Sequence, residues 1–318
     1  MSKNLCYEFQ SECAGHFSLK HEKNIQHFYH FFKRIITLRK RPGFVFRSGV
    51  FAMLWMTPMS TSVRAALEDL PCGARSTAMA GAFVALTGDA EGLFYNPAGL
   101  SLVKRTDFTA FYTHPFGIND LVRAGMALKL NRNRYAIGLA AQTFGNEKYS
   151  EKVISSSVSA HIAYNVYVGV QLRYGSVSIE KYGAAGAFIG DVGTLVFLSP
   201  HVSWGCCIKN INFASLGASG EKLPQIMQTG LSLHLFDMLT FCADLYKDVR
   251  FPLDLRNGLE FTIIEPLSLR IGIGTEPSRF HAGFGINMFH FHVDYAYQSH
   301  NDLGGTHLFS IGVFTSRP

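Results

Sequence analysis

From Thr106 onward, apolar and polar positions alternate with a period of two. Phe289–Gln298 shows the device without a misplaced residue. Phe289, Phe291, Val293, Tyr295 and Tyr297 fall on one side; His290, His292, Asp294, Ala296 and Gln298 fall on the other. A strand sends successive side chains to opposite faces, so the segment predicts one apolar and one mostly polar face. The same alternation runs through Val122–Leu130, Tyr135–Thr143, Ser157–Tyr164, Val166–Gly175, Val202–Lys209, Gln228–Leu235, Leu239–Tyr246, Gly258–Ile263, Leu267–Gly274, Phe280–Asn287 and Phe309–Val313, while Ile189–Leu198 is less regular. With the stretch that follows Thr106, the pattern predicts about fourteen strands of roughly 8–11 residues, an even number and a length that crosses a bilayer when tilted.

The connections alternate as well. Short ones are expected at Asn131–Asn133, Asn165, Ser199–His201, Asp237-Met238, Glu265-Pro266 and Asn287-Met288. Long ones are expected at His114–Asp120, Gly145–Glu151, Ser176–Ala185, Asn210–Leu223, Lys247–Pro252 and Ser299–Gly305. Short turns on one side and longer loops on the other are the pattern of an outer-membrane barrel.

A soluble β-sandwich also alternates, but its outer face is rich in charge. Here the second face is largely Gly, Ser, Ala and Gln with isolated charges, and 16% of the chain is charged against ~25% in ordinary soluble domains. Tyr112, Tyr135, Tyr164, Tyr174 and Tyr297 stand near strand ends on the apolar side, where interfacial aromatic girdles form. The expected fold is therefore all-β: a transmembrane antiparallel β-barrel of about fourteen strands with lipid against its exterior.

The first hundred residues do not alternate. Residues 1–65 carry 10 of the Lys and Arg and 3 of the acids; the remainder is close to neutral, so the net charge of +6 belongs to the leader. Nucleic-acid binding thus has no electrostatic basis in the main domain. A basic stretch from Lys33 to Arg47, a short apolar run Gly49–Met56 and Val63-Arg64-Ala65 have the order of a secretory signal, with cleavage expected after Ala65. Residues 66–104 then read as a small hatch or plug, dominated by small residues, with a short helix near Asp89 and a turn at Asn96-Pro97-Ala98. The barrel occupies residues 105–318. Cys72, Cys206, Cys207 and Cys242 lack CxxC spacing, so neither a zinc site nor a disulfide framework is indicated.

The stretch GARSTAMAGAFVALTGDAEGLFYNPAGLSLV from Gly73 to Val103 resembles the opening of PorV/PorQ-type outer-membrane proteins, relatives of the FadL-like long-chain fatty acid transporters. Shared features are the small-residue opening, the Asp89 step and Asn96-Pro97-Ala98. Ile208-Lys209-Asn210, Lys222-Leu223-Pro224, Asp244-Leu245-Tyr246-Lys247, Gly258-Leu259-Glu260-Phe261, Leu269-Arg270-Ile271-Gly272 and Leu303-Gly304-Gly305-Thr306-His307 continue the likeness to Phe314. The resemblance implies a protein of the bacterial outer membrane, with Asp89, Asn96, Pro97 and Ala98 as the hatch motif. It implies passive transport of small hydrophobic molecules or, alternatively, a non-enzymatic barrel component of a protein secretion and surface-attachment system of type IX-like kind. Two departures stand out: the chain is short for a FadL-type transporter, and Thr315-Ser316-Arg317-Pro318 runs past the terminal aromatic Phe314.

The polar face is expected to turn Arg123, Arg173, Asp244, Glu260, Arg270, His281, His292 and Asp294 toward the lumen, where acids and bases pair across strands. Lys129, His161, His234, Arg256 and His290 are expected on the same polar face. A two-residue turn at Asn287-Met288 would set His281 opposite Asp294, favouring a charge-assisted pair over a metal site. No GxSxG elbow, P-loop or HExxH occurs. A non-enzyme without cofactor or metal is expected; its partners would be membrane lipid and either a small hydrophobic ligand or secretion-machinery proteins.

Overall fold

The computed structural model describes residues 66–315 apart from 133, 218, 219 and 237. The leader expected over 1–65, its cleavage site and the last three residues lie outside the described residues.

The strands are β1 (Asp107–His114), β2 (Val122–Arg132), β3 (Tyr135–Gly145), β4 (Tyr149–Ala163), β5 (Val166–Ile179), β6 (Gly183–Ser199), β7 (Val202–Lys209), the short β8 (Ser215–Leu216) and β9 (Glu221–Lys222), β10 (Ile226–Leu235), β11 (Leu239–Asp248), β12 (Asp254–Ile264), β13 (Leu267–Thr275), β14 (Ser278–Met288), β15 (Phe291–His300) and β16 (Gly304–Phe314). All but β8 and β9 form one closed antiparallel barrel of fourteen strands. Closure comes from β1 pairing with β16, Asp107 opposite Phe314 through His114 opposite His307. Closure leaves no unpaired edge, as a lipid environment demands.

The two faces separate as the alternation requires. On β13, Leu269, Ile271 and Ile273 are 45–54% exposed, while Arg270 and Gly272 between them are buried. Tyr112, Tyr135, Tyr164 and Tyr174 also point outward. This outer wall is the greasy surface of a transmembrane barrel, and the hydrophobic core is displaced to the inside.

That core is built on residues 66–104, which run through the lumen. Helix α1 (Ala74–Ala78) is followed by two 3-10 turns, Ala90–Phe94 and Pro97–Ser101. Met79 and Phe83 pack with Tyr95 and Cys242; Leu93 and Leu100 pack on Ala127, Ala136 and Ala140; Val84 and Ala98 pack on Leu195 and Cys207. The small inward residues of the wall have this physical reason. A Cβ on Gly258 would come 2.7 Å from that of Met79, and one on Gly272 would come 2.6 Å from the Ala80 nitrogen. Wall and hatch are in backbone-level contact there.

The register of one hairpin differs from expectation. Between β14 and β15 the turn is Phe289-His290, with Phe289 at φ 52°. His281 therefore lies opposite Gln298, and Asp294 opposite Gly285. The shift is even, so every side chain keeps its face, but the expected His281–Asp294 pair is not formed. The loop contrast is also milder. Strand pairing continues outward in β4, β5 and β6, which reduces two connections expected to be long to 146–148 and 180–182; Ile189–Leu198 lies inside β6, the longest strand. The connection from Asn210 to Gln225 stays long and carries the β8–β9 hairpin.

Candidate functional site

The hatch starts at the loop end of the lumen. The Leu67 amide donates to Glu151 Oε1 at 3.0 Å, and the Asp69 carboxylate meets Lys209 Nζ at 2.6 Å. Burial alone would raise the Asp69 pKa, but the Lys209 ammonium outweighs it and holds the carboxyl below its usual value. The segment ends at the turn end, where Arg105 pairs with Asp107 at 3.0 Å. Between these points Lys129 Nζ donates to the carbonyls of Gly88 and Val103, closing the last loop of the hatch onto β2.

The hatch motif residues act within this plug. Asp89 caps the first 3-10 turn, its side chain accepting from the Gly92 amide. Asn96 caps the second, accepting from the Ala98 amide, while its Nδ2 donates to the carbonyls of Val84 and Thr194. An N-cap oxygen satisfies an otherwise orphaned amide; here the same side chain also ties the turn to β6. Pro97 opens that turn at a position where its missing N–H costs nothing. Asn96, Pro97 and Ala98 are buried inside the barrel.

Glu260, Arg270 and Asp294 join with two hatch residues into one ionic chain. Asp89 meets Arg75 at 2.7 Å, Arg75 meets Glu260 at 2.8 Å, Glu260 meets Arg270 at 2.6 Å and Arg270 meets Asp294 at 2.5 Å. Signs alternate along it, and its Arg75 step fastens α1 to β12. The Asp89 pKa, which burial alone would raise, is held below its usual value by Arg75.

The other predicted wall residues face inward but do not converge. Arg123 donates to the Leu70 carbonyl at 2.7 Å. Arg173 pairs with Asp191 across β5 and β6 at 2.6 Å. Asp244 accepts from the Val84 amide and Gln228 Nε2. His281 is buried, and among the described residues neither ring nitrogen has a hydrogen-bond partner. His292 is half-buried with its ring 16° from coplanar with that of Phe314, while His290 sits exposed in the turn. Among the described residues no group of three or more ligating side chains could hold a metal ion.

A cavity of about 470 Å³ lies at the turn end, lined by Arg75, Asp89, Glu91, Arg105, Thr109, Glu260, Arg270, His292 and Asp294 among others. Nearer the loop end, three cavities measure about 30, 20 and 20 Å³, room for little more than a water each. Among the described residues the hatch fills the middle of the lumen and leaves a charged vestibule below it. Sequence reasoning missed Arg75, Glu91, Arg105 and Thr109 of this lining, of which Arg75 and Glu91 belong to the hatch. The signal for Arg75 and Glu91 is a lone arginine and an acid-rich Asp89-Ala90-Glu91 step in a run of small residues.

No protein-family model and no curated protein matches the sequence. Solved structures do match the fold. The CymD monoaromatic hydrocarbon channel is 14% identical with a TM-score of 0.56, covering 77% of this chain and 97% of that one. The Ralstonia pickettii toluene transporter TbuX is 13% identical with a TM-score of 0.55, covering 76% and 97%. A Pseudomonas aeruginosa FadL homologue is 11% identical with a TM-score of 0.51, covering 77% and 98%. At these identities the likeness is one of fold.

Proposed function

We propose that this chain is a hatch-plugged barrel of the bacterial outer membrane, of the FadL-like and PorV/PorQ type, that passes small hydrophobic molecules. The short turns then face the periplasm and the loops face outward. The observation that carries the reading is a lumen filled by the chain's own N-terminal segment, in a barrel fold that it shares with CymD and TbuX along nearly their whole length. The work is passage rather than chemistry, and the cavities beside the hatch are too small for a hydrocarbon, so passage requires rearrangement of the plug.

One observation favours a second reading. The plug is fastened by an ionic chain and by backbone-tight glycine contacts, which suits a closed barrel serving as a non-enzymatic platform for protein secretion or surface attachment. Uptake of labelled toluene and of a long-chain fatty acid separates the two. The host is a Gram-negative strain lacking its own hydrophobic-compound channels. Raised uptake with the barrel inserted supports passage. Insertion without raised uptake, together with co-purification of secretion-machinery proteins, supports the platform and removes the first reading.

A further inference from the structure

At the loop end, away from the vestibule, the inner wall carries two arginines at one level. Arg256 of β12 and Arg279 of β14 both stand opposite Gly274 of β13, so the three form a row with no side chain in its middle. Like charges set on one face repel, and one carboxylate answers both. Asp254 Oδ2 accepts from Arg256 Nε at 2.7 Å and from Arg279 Nη2 at 3.0 Å. Its Oδ1 is engaged by the Thr275 and Glu276 amides at 3.0 Å each. The other acids nearby are spoken for. Asp244, opposite Arg256 on β11, accepts from the Val84 amide and Gln228 Nε2, and Asp69 is held by Lys209.

Both guanidiniums keep donors in hand. Among the described residues Arg256 donates through Nε alone and Arg279 through Nη2 alone, so Arg256 Nη1 and Nη2 and Arg279 Nη1 have no acceptor. These three nitrogens retain open surface; the sealed nitrogen of the pair is Arg279 Nε. The two arginines line a cavity of about 20 Å³ between hatch and wall, closed on the hatch side by Asp69, Cys72, Gly81 and Tyr95 among others. Arg256 Nη1 reaches across to the hatch, standing 3.1 Å from where a Cβ on Gly81 would lie. The Tyr246 ring covers one face of the same guanidinium, 3.5 Å from its centroid.

We propose that this cavity binds a small monovalent inorganic anion, of halide size, between Arg256 and Arg279. Guanidinium N–H groups hydrogen-bond an anion strongly where water is excluded. The volume admits one water-sized particle, so a phosphate, a sulfate or a lipid headgroup does not fit. A cation is disfavoured because the groups with free hydrogen-bonding capacity are themselves cations, and the one carboxylate on the lining, Asp69, already holds Lys209. A water accepts the same hydrogen bonds but leaves two buried guanidiniums sharing a single carboxylate. Hatch residues close the cavity over the wall arginines, so an anion bound there favours the plugged barrel over any state with the hatch withdrawn.

The test is thermal unfolding of the folded, detergent-solubilised barrel in sodium gluconate, with sodium bromide replacing gluconate at constant ionic strength. The midpoint should rise saturably with bromide, and crystals grown in bromide should show an anomalous peak within hydrogen-bond reach of both arginines. Arg279→Gln keeps the Arg256–Asp254 pair and should weaken the bromide dependence by about tenfold or more. Arg250→Gln, which removes an arginine paired with Asp248 outside the cavity, should leave it intact. A midpoint indifferent to bromide, an unchanged dependence in Arg279→Gln, sulfate acting as strongly as bromide, or a water only at the arginine pair overturns the proposal. Should Arg279→Gln not fold, the anomalous peak in the unaltered barrel decides. The readouts are equilibrium stability and bromide position, so they stand or fall separately from any uptake result.

Discussion

Ala80 and Gly272 meet with no room for a side chain between them. A Cβ on Gly272 would stand 2.6 Å from the Ala80 backbone nitrogen, closer than non-bonded carbons come. The neighbouring inward position of the same strand, Gly274, has 3.5 Å to its nearest atom. The hatch is thus seated by backbone shape at one level of β13 and not at the next. Gly272→Val is expected to cost about 1–3 kcal/mol by overpacking, or to expel the hatch locally and raise ion conductance in planar bilayers. Gly274→Ala is expected to change neither. Heat-modifiable mobility and single-channel conductance read both effects.

The Arg75–Glu260 contact joins plug to wall inside a chain of five alternating charges. Removing one charge leaves the others buried and mismatched. Glu260→Gln is expected to cost about 3 kcal/mol, toward the lower end for breaking a buried pair, because Asp89 and Asp294 remain for the two arginines. A double-mutant cycle with Arg75→Met should return a coupling of about 1–3 kcal/mol. Zero coupling would mean that the hatch is held by packing alone.

The barrel wall was readable because one rule, parity, assigns every side chain to lipid or lumen. Arg123, Arg173, Asp244, Glu260, Arg270, His281, His292 and Asp294 all turn inward on that rule. Register was less readable. Turn chemistry favours Asn287, yet the chain turns at Phe289-His290, with an aromatic residue in the left-handed region, and Asp294 consequently reaches Arg270 instead of His281. An even shift leaves parity intact, so alternation alone cannot detect it. The vestibule was hidden for a different reason. Arg75 and Glu91 belong to a segment with no period, and only its path through the lumen brings them to the wall. Gly258 and Gly272 on the inward face were the visible trace of that path, since a water-filled lumen has no need of missing side chains.

Ile271 lies mid-strand on β13 and is 51% exposed on the outer wall. If lipid meets that wall, Ile271→Lys should destabilise the inserted barrel by about 2–4 kcal/mol, the cost of a cation near the bilayer midplane. Spin labels at Leu269 and Ile271 should be reached by oxygen dissolved in the membrane, and one at Ser268 should not. Equal accessibility at all three positions would contradict the assignment of faces.

The hatch should also give the barrel a pH window. Glu91 has its folded pKa raised from 4.5 to about 8. Between those values the folded state holds the proton that the unfolded state has lost, so stability falls as pH rises through the window. Asp69 and Asp89 are held below their usual 3.8. Their contribution has the opposite sign, being present above 3.8 and lost as pH falls below it. The two effects do not overlap, and heat-modification midpoints should be highest between about pH 4 and 5. Glu91→Gln keeps the shape of the side chain and removes the titration, so it should flatten the decline between pH 5 and 8 while leaving the acid limb in place. A decline of the same slope in the variant would assign the window to other groups and leave Glu91 as a packed, neutral part of the plug.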